Sequence, residues 1–197
     1  MFANPPLILA SSSPRRLALL RQVGIEPLRI ESPEVDETPL RRELPRDYAR
    51  RMAELKASAI ARQAAAIGSY VLGADTVVAC GRRILPKADD ARTAESCLRL
   101  LSGRRHRVHT GLSVSAPDSR RAGRVVTTIV RFKRLSDEEV LAYLASEEWL
   151  GKAGGYAIQG RADAFVRSLT GSYSNVVGLP LADALDLLRG LGWRPGS

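Results

Sequence analysis

Long apolar runs are missing from this sequence. The apolar stretch within Met1 to Ala10 is far shorter than the ~18 residues needed to cross a bilayer, and it lacks the charged start of a secretory leader. Cysteine is scarce as well. Cys80 and Cys97 are too far apart for a Cys-x-x-Cys pair, and two thiols in 197 residues do not suggest a secreted disulfide framework. A soluble protein of the reducing cytoplasm, with no membrane partner, is therefore expected. Aromatic residues make up only 5%, so Ala, Leu, Val and Ile carry most of the 45% hydrophobic content, a composition that suits tightly packed helices and strands in an α/β protein. No repeat, low-complexity tract or linker divides the chain, and 197 residues fit one domain, 1–197, or two small lobes sharing a cleft.

Several chemistry-bearing motifs are absent too. The chain has no Gly-x-x-x-x-Gly-Lys-Ser/Thr phosphate loop and no Gly-x-Gly-x-x-Gly dinucleotide turn. The serines near Arg15 sit in no Gly-x-Ser-x-Gly elbow, which argues against an acyl-transfer nucleophile. His106 and His109 form His-x-x-His, but the odd offset on a strand points them to opposite faces, and no nearby Cys or third His completes a zinc site.

What is abundant is positive charge. Thirty Lys plus Arg against 21 Asp plus Glu give a net charge of +9, which attracts anions such as nucleic acid, anionic membrane or phosphorylated small molecules. The arginines are scattered rather than gathered into a stripe with stacking aromatics, so no stable nucleic-acid partner is expected.

Hydrophobic periodicity gives a mixed α/β order. Leu7 to Ala10 reads as a strand, Ser11 to Ser13 as a polar loop, and Pro14 to Gly24 as a helix, with Ser13 placed to cap its free amides. Leu28 to Ser32 reads as a second strand, followed by a charged, Pro-rich loop to Pro45. A long helix is predicted over Pro45 to Ile67, with Tyr48, Met52, Leu55, Ala59 and Ile60 on its apolar face. Tyr70 to Cys80 reads as a buried strand that turns at Gly81-Arg82 and returns through Ile84-Leu85. A helix over Ala88 to Ser102, paired strands over His106 to Ala116 and Arg124 to Lys133, and a helix opened by the capping box Ser136 to Glu139 follow. A Gly-rich loop over Gly151 to Gly160, a strand over Ala164 to Leu169, and a last helix opened by Pro180 complete the order. Leu181, Leu185 and Leu188 share one face of that helix.

Candidate chemistry is spread along this order. Ser11-Ser12-Ser13-Pro14-Arg15-Arg16 combines hydroxyls, free helix-start amides and two guanidiniums, which are phosphate-binding parts, although a well-capped surface helix would look the same. Asp75 lies inside an apolar strand, where an unpaired charge would cost several kcal/mol, so it needs a partner: a divalent cation, a polarised water, or nearby backbone amides. Glu34, Asp36 and Glu37 either form a solvated acidic loop or supply a carboxylate that joins Asp75 in an oxygen-rich Mg²⁺ or Mn²⁺ site. Lys56 falls near the edge of its helix's apolar face and either snorkels or reaches phosphate. Lys87 and Lys152 are further loop cations. Gln159 offers both a donor and an acceptor to a base edge, without selecting one base.

Taken together, these segments resemble the Maf-like nucleoside triphosphate pyrophosphatases, in the family's order from Leu7 to about Leu188. The matching pieces are Leu9 to Arg16, Val35-Asp36-Glu37, Lys56-Ala57, Gly73 to Val78, Leu101-Ser102-Gly103, His109-Thr110-Gly111, Gly154 to Gly160 and Gly171-Ser172-Tyr173. The resemblance implies a mixed twisted α/β sheet with flanking helices, two lobes around a deep nucleotide-binding cleft in a Maf/Ham1-like arrangement, and often a homodimer. It implies hydrolysis between the α and β phosphates with Mg²⁺ or Mn²⁺ as cofactor. By that likeness Asp75 is the catalytic carboxylate, Glu37 helps hold metal and water, and Ser11, Arg16, Lys56 and Lys87 contact the triphosphate. Arg15, Thr76 and Gln159 together look like the branch acting on dTTP and UTP, with modified pyrimidine triphosphates included and a role in limiting non-standard nucleotides. A 7-methyl-GTP branch is the nearest rival. A nucleotide-sensing regulator of cell division is the alternative of another class. Lys87-Ala88 departs from the family's usual Lys-Pro.

Overall fold

The computed structural model describes residues 6–61 and 68–194. Leu7–Ala10 forms strand β1 and Pro14–Gln22 helix α1, joined by the short serine loop. Arg29–Ile30 is a two-residue β2, after which the charged loop leads to helix α2, Pro45–Ala61. The expected continuation of α2 to Ile67 lies outside the described residues. Strands β3 (Tyr70–Cys80), β4 (Arg83–Leu85) and β5 (Lys87–Ala88) precede helix α3, Ala91–Leu101, which starts three residues later than its periodicity suggests because Asp90 accepts a capping hydrogen bond from the Thr93 amide. Strands β6 (Arg105–Ser115) and β7 (Arg121–Phe132) lead to α4, Asp137–Leu144, whose start is the capping box read from Ser136 and Glu139. The Gly-rich loop contains a short strand β8, Lys152–Ala153; a 3₁₀ turn over Arg161–Phe165 precedes β9, Val166–Thr170, and helices α5 (Tyr173–Val177) and α6 (Leu181–Gly190) complete the described chain.

The main sheet runs in the order β2-β1-β3-β6-β7-β9, with β4 also paired to β3. It is mixed: β1 lies parallel to β2 and β3, and the remaining pairs are antiparallel. Its register creates an opening. On one side of β3, β1 is paired only as far as Ala10 opposite Gly73, and β4 begins only at Val78 opposite Leu85. Between those two pairings, among the described residues, Ala74, Asp75, Thr76 and Val77 face β6 alone. A buried strand therefore presents a bare edge at the residues that carry its polar groups.

Side-chain alternation sends the two faces of the sheet to different layers. One face joins β1, β3, β6 and β7 to α1, α3, α4, α5 and α6 through a core that includes Leu20, Leu72, Leu98, Leu112, Phe132, Tyr143 and Leu188. The other face is covered by α2 through two smaller clusters, Ile8, Ala10, Ala57, Ile60 and Val71 on one side and Tyr48, Ala49, Met52 and Val77 on the other. Contact here is unusually close. A Cβ on Gly73 would lie 2.6 Å from the Ala53 carbonyl oxygen, and one on Gly111 would lie 2.1 Å from that of Ala49, so α2 rests its backbone on two glycines of the sheet.

Two readings of the sequence need correction. Ser13 occupies the N-cap of α1, but its hydroxyl makes no capping bond; instead its own amide donates to the Ser11 hydroxyl at 3.2 Å. Leu55 is 40% exposed rather than on the apolar face of α2, whose buried stripe is Tyr48, Ala49, Met52, Ala53, Lys56, Ala57 and Ile60. The close approach to glycines selects small alanines for that stripe. In α6, Leu188 is buried and Leu181 and Leu185 pack partly covered against the same core, on one face as the periodicity predicts, with Ala184 and Leu187 buried beside them.

Candidate active site

Each of the nine site residues singled out from the sequence lines one cleft of about 300 Å³. Ser11, Arg15 and Arg16 come from the β1–α1 turn, Asp75 and Thr76 from the bare edge of β3, and Glu37, Lys56, Lys87 and Gln159 from four other segments. Lys152 joins them, so five basic side chains face two carboxylates. That excess of positive charge complements a polyphosphate rather than a neutral ligand.

The partner that Asp75 requires is Lys56. Its ammonium lies 2.6 Å from Asp75 Oδ1 and 2.7 Å from Glu37 Oε1, so one buried cation ties a carboxylate of the central strand to one of the charged loop. Lys56 reaches this point because α2 sits so low on Gly73 and Gly111, one turn from Ala53 and beside Ala57. The snorkelling alternative does not apply, since Lys56 is 8% exposed. Glu37 also receives a hydrogen bond from Lys87 at 3.0 Å. Burial alone would raise the Glu37 carboxyl's pKa, but the hydrogen bonds and charges of Lys56 and Lys87 outweigh it and hold it below the usual range. Of the acidic triplet only Glu37 enters the cleft; Glu34 is exposed, and Asp36 accepts the Thr38 amide at 2.8 Å.

The loop carrying Glu37 is fastened to α2. Tyr48 donates its hydroxyl to the Glu37 carbonyl at 2.8 Å, while Arg51 grips Glu43 with two bonds of 2.7 Å and reaches the Thr38 carbonyl at 3.1 Å. Burial, with the nearby Asp75 and Glu37, pushes the Tyr48 phenol up to about 12, so it keeps its proton for this bond.

Across the cleft, Arg16 is buried and donates to three neutral oxygens: the Gly178 carbonyl at 2.9 Å, Ser11 Oγ at 2.8 Å and Thr76 Oγ1 at 3.2 Å. Burial lowers the pKa of Arg16, Arg15 lowers it further, and Asp75 and Glu37 oppose the shift. Arg15 is likewise lowered by burial, and both guanidiniums stay protonated at any working pH.

The upper wall is set by the small β5–β8 pairing, which places Lys87 opposite Ala153 and Ala88 opposite Lys152. Lys152 is lowered by burial first and by Arg15 second. Gly154 and Gly155 follow with φ of +71° and +69°, and side chains there would strike Val78 and Ala94. Only glycine allows the loop to turn this tightly against β3 and α3. The turn delivers Tyr156, Ala157, Ile158 and Gln159 to the cleft; Tyr156 is anchored by its hydroxyl to His106 Nε2 at 2.8 Å, and the Ala157 amide donates to the Tyr143 hydroxyl at 3.0 Å. Gln159 is exposed and, among the described residues, makes no hydrogen bond, which leaves its amide free for a ligand.

A family model described as Maf-like protein matches residues 6–191. The chain belongs to the Maf-like family. This Maf-like chain is 60% identical over 189 residues to the dTTP/UTP pyrophosphatase of Paramagnetospirillum magneticum, covering 96% of this chain and 98% of that one. It is 57% identical over 195 residues to the dTTP/UTP pyrophosphatase of Caulobacter vibrioides, covering 99% and 100%. A third relative of the same name, from Rhodospirillum rubrum, is 58% identical over 194 residues, covering 98% of this chain and 91% of its own.

Sequence reasoning missed part of the Maf-like cleft. Val176, Val177 and Gly178 form one wall, and Ser32 and Pro33 part of another. The one available signal for the first was Gly178, whose φ of 136° no other residue adopts readily. The two histidines behave as read. His106 and His109 are both buried, His106 against Phe132 and Tyr156 and His109 with its Nδ1 2.8 Å from Thr127 Oγ1.

Among the described residues, no cluster of three His, Cys, Asp or Glu forms a self-sufficient metal site, and no helix is long and apolar enough to cross a membrane. What the Maf-like cleft does hold is a pair of carboxylates, from Glu37 and Asp75, each with one oxygen on the same positive group. Mg²⁺ is commonly held by one or two carboxylates, with phosphate and water completing its shell, so this oxygen pair fits such a cation.

Proposed function

We propose that this protein is a nucleoside triphosphate pyrophosphatase that hydrolyses dTTP and UTP to the monophosphate and diphosphate, acting as one domain over residues 1–197 and as a homodimer in the cytoplasm. The observation that carries the reading is the meeting of Glu37 and Asp75 on Lys56 at the floor of a cationic cleft. Relatives that match nearly the whole chain bear the name of that activity.

In this reading the triphosphate lies between the β1–α1 turn and the β5–β8 pair. Arg16, Arg15 and the amides at the start of α1 bind phosphate oxygens, while Lys87 and Lys152 lie along the opposite wall. Lys56 holds the Asp75 carboxylate in one orientation. Asp75 accepts a proton from a water that attacks the α-phosphorus; a new P–O bond forms, the bond to the bridging oxygen breaks, and its electron pair leaves with the diphosphate. The cations around the leaving group stabilise the charge that develops there. Glu37 and Asp75 would hold Mg²⁺ or Mn²⁺, which when bound supplies Lewis-acid neutralisation of the phosphate oxygens. Gln159, whose amide is free among the described residues, reads the base, and Arg15 and Thr76 complete the set tied by the resemblance to dTTP and UTP.

The test is a substrate panel that measures diphosphate release from dTTP, UTP, CTP, GTP and 7-methyl-GTP with added Mg²⁺ or Mn²⁺. Selective release from dTTP and UTP supports the proposal. A preference for 7-methyl-GTP would move the protein to the neighbouring branch, and tight binding without release would make it a nucleotide sensor. Sedimentation at rising protein concentration tests the homodimer.

A further inference from the structure

Arg16 is a buried cation of this cleft whose charge is not offset by a carboxylate contact. Lys56 and Lys87 are each paired with carboxylates, whereas Arg16 makes no ion pair among the described residues. A guanidinium has five N–H donors. Three of those on Arg16 go to the Gly178 carbonyl, Ser11 Oγ and Thr76 Oγ1, all neutral, so two N–H groups and the full positive charge remain. Its orientation therefore depends on those three oxygens; two are hydroxyls, and the one on Thr76 must point its lone pairs at Arg16 and its proton elsewhere.

We propose that Thr110 is a positioning residue for phosphate binding, acting through Thr76 on Arg16; this rests on the reading of the cleft as a triphosphate site. The β3–β6 register sets Thr76 directly opposite Thr110, with their hydroxyl oxygens 2.9 Å apart. Thr110 is fully buried and donates its proton to the Asn175 carbonyl at 3.2 Å. With that proton committed, Thr110 accepts from Thr76, and Thr76 accepts from Arg16. The bonds run in one direction, from the guanidinium through two threonine hydroxyls to a backbone carbonyl. Asn175 is itself immobilised, its side-chain amide donating to the Val108 carbonyl at 3.1 Å and to Thr128 Oγ1 at 2.9 Å. Without the Thr110 oxygen, the Thr76 proton has only the Gly178 carbonyl at 3.3 Å, an acceptor that already receives Arg16 Nε, so Thr76 is no longer fixed as an acceptor for Arg16.

The experiment uses the full chain with two probes, inorganic tripolyphosphate binding by calorimetry and dTTP turnover. Thr110→Val, which keeps the shape, is expected to weaken tripolyphosphate and raise KM for dTTP about tenfold, the effect of losing one ordered hydrogen bond, while kcat changes less than about threefold. Thr110→Ser should restore both to within about threefold of wild type. The decisive arm is a double-variant cycle: if Thr110 acts through Arg16, then Arg16→Gln with Thr110→Val binds tripolyphosphate no more weakly than Arg16→Gln alone. Wild-type affinity in Thr110→Val, failure of Thr110→Ser to rescue, or additive losses in the double variant would overturn the proposal. Should Thr110→Val not fold, Thr110→Ala compared with Thr110→Ser answers the same question. If wild type releases no diphosphate from dTTP or UTP while the tripolyphosphate arms behave as stated, the substrate reading fails and the role of Thr110 stands.

Discussion

Replacing Gly111 by alanine should damage both the fold and the active site, because Gly111 is paired directly with Asp75 across β3 and β6 and the added methyl would point into α2. The methyl would lie 2.1 Å from the Ala49 carbonyl oxygen, 2.5 Å from its carbon and 2.9 Å from the Arg50 nitrogen, against 3.4 Å where ordinary contact begins. All three atoms belong to the α2 backbone, so no rotamer change relieves the overlap, and the helix must lift by roughly 1 Å. Overpacking of this kind costs about 1–3 kcal/mol, and the upper end applies where backbone must move. The reduced entropy of the unfolded alanine chain returns about 0.4–1 kcal/mol, leaving a net loss of about 2 kcal/mol. For a chain of this length that lowers Tm by about 4–8 °C. The same lift draws Lys56 away from Asp75, so diphosphate release should fall at temperatures where the variant remains folded. The assay pairs a thermal melt with dTTP turnover, with Gly190→Ala as control, since a methyl there meets nothing within 4 Å. Wild-type Tm and turnover in Gly111→Ala would refute the argument that α2 is seated on the sheet through glycine.

Two pH effects follow from the same structure. Because Glu37's folded pKa is lowered, its bonds to Lys56 and Lys87 stabilise the fold fully above the ordinary carboxylate range, and this contribution is lost as pH falls through the lowered value. Glu37→Gln should therefore be less stable than wild type in urea at pH about 7, with the gap closing at pH about 3; a gap that does not depend on pH would contradict it. Burial pushes His106 down to about 4 from 6.5, so its neutral form stabilises the fold above the unfolded value, and that stability is lost as pH falls from 6.5 towards 4. NMR titration should find the His106 ring neutral at pH about 5, and a ring protonated near pH 6.5 would show that its burial against Phe132 and Tyr156 has been misjudged.

Much of the candidate site was legible in the sequence because its parts break local rules. An aspartate in the middle of Tyr70–Cys80, a lysine in the buried stripe of α2 and a Gly-Gly pair before Tyr156 are each out of place unless something compensates. What could not be read was how those parts meet. The bare edge of β3 exists because β1 stops at Ala10 and β4 starts at Val78, a matter of register between distant segments that no local pattern records. Lys56 finds Asp75 because two glycines let α2 descend, and glycines inside strands read equally well as bulges. The failed cap at Ser13 has the same origin. Ser11 takes the Ser13 amide and Arg16 together, so the turn is organised around the guanidinium rather than around the helix start. Leu55 departs from the periodicity because the contact with Gly73 and Gly111 selects small alanines for the buried stripe of α2 and leaves the leucine outside it.

The central claim is that Asp75 performs the chemistry while Lys56 and Glu37 hold it in place. Asp75→Asn tests it most directly, because Lys56 keeps Glu37 at 2.7 Å as a partner and the fold is expected to survive. Wild-type protein given dTTP should yield dTMP and diphosphate, and the folded variant should bind dTTP yet yield neither. A folded Asp75→Asn protein that releases diphosphate at near wild-type rate would contradict the account.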